Sequence, residues 1–138
     1  WFMTEKPNQV LSQVKLAPTG VDEQVGILLS NDAGEMATIA LTLHAKQPKR
    51  GTIAYDKGYI ELYEYPRGQK AVITYTEDGS QEVIEAGETA KALSYEVADM
   101  EKAVAGIENT MHLAYTQDVM DIMTQLRKEW GLVYPEEV

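Results

Sequence analysis

The sequence predicts an α+β fold, a mostly antiparallel open sheet of about six to seven strands with two main helices on one face. Two observations lead there. Up to about Thr89 the apolar residues alternate with period 2 between short turns, and beyond it they recur at helical spacing. The two helical stretches are amphipathic, so each needs an apolar surface to cover, and one face of a sheet supplies it. At 138 residues the chain fits one domain, 1–138, with the sheet over about 9–88 and the helices over about 90–131.

In order along the chain, Val10, Ser12, Val14 and Leu16 share one strand face. Strands at 25–29 and 36–45 flank Asn31-Asp32-Ala33-Gly34, a hairpin turn. In the second, Ala37, Ile39, Leu41 and Leu43 point to the core, while Thr38, Ala40, Thr42 and His44 point away from it. Further strands are expected at 51–55, 59–65, 70–76 and 81–84, separated by Asp56-Lys57-Gly58, Pro66-Arg67-Gly68-Gln69 and Asp78-Gly79-Ser80. Turns this short join antiparallel neighbours, because parallel strands need long crossovers. After Gly87, Leu93, Val97, Met100 and Val104 form a helical stripe that ends at Gly106. Tyr115, Val119, Ile122, Leu126 and Trp130, with Met123 beside them, form a second that ends at Gly131.

Composition narrows the chemistry. With no cysteine, disulfides, thiolate metal sites and a cysteine nucleophile are excluded, and a reducing, cytoplasmic location is the expectation. A net charge of −10 argues against nucleic acid and anionic membranes as partners, which need a basic surface. No apolar run is long enough to span a bilayer, and the start of the chain has no secretory pattern. A first residue that is not Met is expected of a segment from a longer protein, or of a processed one.

No Gly-x-Gly-x-x-Gly fingerprint or phosphate loop is present, so no cofactor is expected on this chain. The two histidines, His44 and His112, form no His-x-x-x-His pair, and no metal site is expected. No serine lies in a Gly-x-Ser-x-Gly elbow. Asp99 and Glu101, or Asp118 and Asp121, have the spacing of a solvated helix face. Tyr55, Tyr59, Tyr63, Tyr65 and Tyr75 concentrate in three successive strands. Such tyrosines form a subunit interface, fill strands, or stack a sugar. His44 is a surface histidine or faces the same interface or a cleft; His112 is a first-turn helix residue that can border a cleft.

The order of several short pieces carries a family resemblance. Thr19-Gly20-Val21-Asp22-Glu23 leads into the strand that runs to Leu29. Arg50-Gly51-Thr52-Ile53-Ala54-Tyr55-Asp56-Lys57-Gly58-Tyr59-Ile60-Glu61 reads as strand, turn and strand. Tyr95-Glu96 and Glu101-Lys102-Ala103-Val104-Ala105-Gly106 precede Glu108-Asn109. Val119-Met120-Asp121-Ile122-Met123, Leu126-Arg127 and Gly131-Leu132-x-Tyr134-Pro135-Glu136 close the chain. In this order, residues 10–138 resemble the C-terminal domain of the glucose–fructose oxidoreductase, inositol dehydrogenase and rhizopine-catabolism family, Gfo/Idh/MocA. Ala114-Tyr115 stands where many members place Ser-Glu, and Tyr55-Asp56 where Gly-Thr is usual, so the substrate is not carried over.

The resemblance implies a parent protein with a separate Rossmann domain that holds NAD or NADP, acting on a sugar, inositol or related diol. Members carry a catalytic lysine in Glu-Lys-Pro. Glu5-Lys6-Pro7 imitates that motif, but it stands directly before the first sheet strand rather than many tens of residues upstream, so it is not read as catalytic. This chain is expected to supply one wall of the substrate cleft and the subunit interface of a homo-oligomer, dimer or tetramer, without a complete active site and inactive alone. His112 and Tyr115 are the candidate substrate contacts. Thr38, Thr42, His44, Tyr63 and Tyr65 are the candidate interface residues. A freestanding binding or assembly module derived from that domain is the alternative.

Overall fold

The structure is a computed structural model and describes residues 3–134. Trp1 and the Pro135-Glu136 end of the terminal motif lie outside the described residues. The fold is α+β with antiparallel strand pairing throughout, arranged in two compact units. One comprises the chain through Gln47 together with the residues from His112 onward, and the other is Pro48–Met111.

The first unit holds β1 (Gln9–Leu16), β2 (Asp22–Ser30) and β3 (Met36–Thr42) in a three-stranded sheet with β2 central. The expected turn between β2 and β3 forms, with Gly34 at φ 81° and its N–H bonded to the Asn31 carbonyl at 3.1 Å. Val10 pairs with Leu29, and Leu29 with Ala37, so these three side chains share one face. The helix α2 (Leu113–Glu129) buries Ile122 and Leu126 against Leu29, with Val10, Ile27, Ala37 and Trp130 packed around them. Trp130 also donates its indole N–H to the Ser12 hydroxyl at 2.9 Å, which explains a polar residue on this apolar face. The helix stops at Gly131, φ 65°, where Leu132 N–H reaches the Arg127 carbonyl and Gly131 N–H the Lys128 carbonyl. That double bond pattern closes the last turn.

The second unit holds β4 (Arg50–Tyr55), β5 (Gly58–Tyr63), β6 (Lys70–Tyr75) and β7 (Gln81–Glu85), paired in sequence order. Ile53, Ile60 and Ile73 line up across three strands of one face. A 3-10 turn at Thr89–Lys91 leads into α1 (Ala92–Val104), which ends through Gly106 as expected. Tyr95 packs its ring against Gly87 and accepts the Glu88 N–H at 3.1 Å.

Among the described residues seven strands form, but the single open sheet expected from the sequence is divided after β3. The Thr42 hydroxyl takes the N–H groups of His44 at 3.0 Å and Ala45 at 3.3 Å, which bends the chain out of the ladder. Pro48, which follows, has no N–H to give. Accordingly the strand expected over 36–45 ends at Thr42, and His44 sits in the bend. Within its unit α2 covers the three-stranded sheet, and α1 belongs to the other unit and has no buried residue. Tyr65 likewise falls beyond β5, because Glu64 adopts φ 52° and turns the chain. No helix among the described residues is long and apolar enough to cross a membrane.

Candidate functional site

The two candidate substrate contacts come together at the start of α2. His112 is the N-cap residue rather than a first-turn residue, and its carbonyl accepts the N–H groups of Tyr115 at 3.0 Å and Thr116 at 3.2 Å. Residues 112 and 115 lie on one side of the helix end, and their ring centroids are 5.2 Å apart with planes tilted by 33°. Both side chains are exposed. The pair offers an aromatic edge with two polar tips.

Thr38 and Thr42 lie on the face of the three-stranded sheet opposite α2. There Leu11, Leu28 and Thr38 form one row across the strands, and Gln13, Gly26 and Ala40 the next. Leu11 and Met36 on this face are 68% and 67% exposed, so its centre is apolar or small and its margins polar. Thr42 is half-buried and lines a depression of about 440 Å³ at one end of the sheet, together with Lys15, Gln24, Val25 and Leu41.

His44 is drawn to the same end. Its Nδ1 stands 3.3 Å from one Glu23 carboxylate oxygen, while Lys15 Nζ binds the other at 2.6 Å. The Lys15 ammonium, and to a smaller degree His44, hold Glu23 below the usual glutamate range.

Tyr63 and Tyr65 belong to the other unit. Tyr63 pairs across the strands with Arg50, whose guanidinium approaches Glu61 at 3.8 Å. The strand tyrosines do not form one patch: Tyr59 and Tyr63 alternate to one face of the four-stranded sheet, and Tyr55 and Tyr75 to the other. Tyr75 donates its hydroxyl to Glu82 at 3.2 Å, and that carboxylate raises its pKa.

Glu5-Lys6-Pro7 has a clear structural setting. Lys6 Nζ lies 2.9 Å from Asp118 and 3.0 Å from Asp121, one turn apart on α2, and these carboxylates hold its pKa above the ordinary lysine value. A lysine kept protonated between two carboxylates is a poor proton acceptor. Among the described residues no group of three or more His, Asp or Glu side chains is placed to hold a metal ion.

Two features escaped the reading of the sequence. Glu23 is the shared partner of Lys15 and His44, and Asn31 with Glu35 grips the segment before β1 through 2.8–3.3 Å hydrogen bonds. Asn31 at the head of a turn was a usable signal, since asparagine side chains bond to nearby backbone in turns. Glu35 gave none for its bond to Thr4, because Thr4 is some thirty residues away along the chain.

No protein-family model matches the chain. It is similar to a trans-1,2-dihydrobenzene-1,2-diol dehydrogenase of Xenopus laevis, 26% identical over 142 residues that cover 97% of this chain and 43% of that protein. A trans-1,2-dihydrobenzene-1,2-diol dehydrogenase of Xenopus tropicalis is 25% identical over 145 residues, with the same coverage. The chain thus spans less than half the length of these relatives, while its own length is matched almost from end to end.

Proposed function

We propose that this chain is the C-terminal sheet domain of an NAD(P)-dependent oxidoreductase of the Gfo/Idh/MocA type, whose parent acts on a sugar, an inositol or a related diol. The observation that carries the proposal is the collinear similarity, over 97% of the chain, to proteins named as diol dehydrogenases. The ordered pieces from Thr19-Gly20-Val21-Asp22-Glu23 to Gly131-Leu132 support the same reading. In the parent, a nicotinamide held by the separate domain would supply hydride chemistry between an alcohol carbon and the corresponding carbonyl.

The nucleotide does not fit this chain by itself. Its strands pair antiparallel, and neither α1 nor α2 opens from a glycine-rich turn after a parallel strand, the arrangement that receives a pyrophosphate. No step is therefore assigned to residues here beyond substrate contact. His112 and Tyr115 form part of one wall of the substrate cleft, stacking on the ring and bonding its hydroxyls.

The open face of the three-stranded sheet, with Thr38 and Thr42 and with His44 at its end, is an interface between copies; Tyr63 and Tyr65 are contacts of the same kind. Exposed Leu11 and Met36, with small Gly26 and Ala40 between polar margins, favour association over solvation. Sedimentation at high concentration is expected to show an oligomer, and a monomer there would remove this part of the proposal.

Calorimetry with NAD(P) tests the rest, on this chain and on the product of its complete reading frame. Binding is expected by the complete product and not by the chain alone. Binding by this chain would overturn the assignment, and binding by neither would leave a freestanding module as the answer. In a complete product that oxidises a diol, His112→Ala is expected to raise KM more than it lowers kcat.

A further inference from the structure

We infer that residues 4–7 form a strap latched at two points, with Glu35 as the acid-sensitive latch and Lys6 as the second anchor. This inference is independent of the dehydrogenase reading. Three donors converge on Glu35 Oε2: the Thr4 N–H at 2.8 Å, the Thr4 hydroxyl at 3.1 Å and Asn31 Nδ2 at 2.7 Å. The Glu5 backbone amide also acts to lower the Glu35 pKa. Asn31, itself buried, ties the arrangement together by accepting the Glu35 N–H at 3.0 Å and donating to the Glu5 carbonyl at 3.3 Å. Two residues on, Lys6 spans Asp118 and Asp121 of α2, and Asp121 also receives Gln117 at 2.9 Å. Pro7 is buried, and Asn8 N–H reaches the Ser30 carbonyl at 3.1 Å to begin the ladder of β1.

The strap therefore joins the β2–β3 turn to the helix, and it leads into β1, an edge strand of the three-stranded sheet. A carboxylate accepts at two oxygens, whereas a carboxylic acid turns one of them into a donor. Protonation of Glu35 therefore removes the negative charge that strengthens the three bonds converging on Oε2 and turns one carboxyl oxygen into a donor. The charged groups along these elements are Glu5 and Lys6 on the strap, Asp32 and Glu35 on the turn, and Asp118 and Asp121 on α2. The Asn31 amide and the strap donors lower the Glu35 pKa in the folded chain. The latch is thus fully engaged above the unfolded-state pKa and is lost as the pH falls through the lower folded value. Lys6 holds the strap at its other end, through its ion pairs with Asp118 and Asp121.

An amide-resolved NMR titration of the 138-residue chain from neutral to acid pH tests this. The Thr4 and Glu5 amide protons are expected to move together, with a midpoint below that of an unperturbed glutamate. In Glu35→Gln that titration disappears, and in Lys6→Met it remains. Amides of Thr4 and Glu5 that stay still in the unmodified chain, or that titrate at an ordinary glutamate midpoint, overturn the latch. So does a titration that persists in Glu35→Gln, which would assign it to Glu5 or Asp32. Should Glu35→Gln fail to fold, the unmodified chain still decides.

Discussion

The two units resolve the same problem, how to protect a small antiparallel sheet, in different ways. In the first, α2 lays Ile122 and Leu126 on Leu29, and every buried hydrophobic residue described, Val25 and Leu132 included, belongs to this unit. In the second, the strands are held by their ladders and by half-buried rows such as Ile53, Ile60 and Ile73, and the buried residue is Thr74. Its helix α1 keeps Leu93, Val97, Met100 and Val104 at 61%, 60%, 50% and 81% exposure. Two stripes of similar amphipathic pattern thus have opposite fates. An apolar stripe records that a helix has something to cover, but burial depends on a sheet face being within reach.

Substitutions break or sharpen this contrast. The largest effect is expected from Leu126→Ala, which empties the best-buried site of the first unit and should lower stability by about 3 kcal/mol in urea denaturation. Gly58→Ala strikes the second unit through its backbone. A Cβ there would overlap the Thr74 carbonyl oxygen, with an expected loss of about 2 kcal/mol and faster amide exchange confined to β4–β6. Ser12→Ala strips the acceptor from the Trp130 indole and should cost about 1 kcal/mol, read as a shift in the denaturation midpoint with unchanged slope. Val97→Ala is expected to change stability by less than about 0.5 kcal/mol, since its side chain is exposed in the free chain. A large loss there would mean that α1 is covered in solution.

Much of this architecture was legible in the sequence. Period-2 alternation put Ala37 on the apolar side of its strand, and that side proves to be the helix-covered one, because a strand's side chains have two directions to choose from. Gly34, Gly106 and Gly131 marked their turns and helix ends, since each holds a positive φ. The division between β3 and β4 was not legible. It follows from a Thr42 hydroxyl bonding two residues ahead, a choice no hydrophobic pattern encodes. Exposure was also misjudged: Ile39, Leu41 and Leu43 have the spacing of core residues but are 39%, 48% and 85% exposed, beyond the reach of α2.

Of the candidate site, the sequence alone determined what short-range geometry allows. His112 and Tyr115, three residues apart, had to fall on one side of a helix end, and Thr38 and Thr42 had to share a strand face. It also determined the ordered pieces on which the family resemblance rests. Tertiary structure alone decided the partners separated by long stretches of chain. It brought Lys6 to Asp118 and Asp121, Thr4 to Glu35, and Trp130 to Ser12, and it assigned Thr38 and Tyr63 to different units. Periodicity fixes the direction of a side chain relative to its own element, but which groups meet depends on how the chain closes its loops.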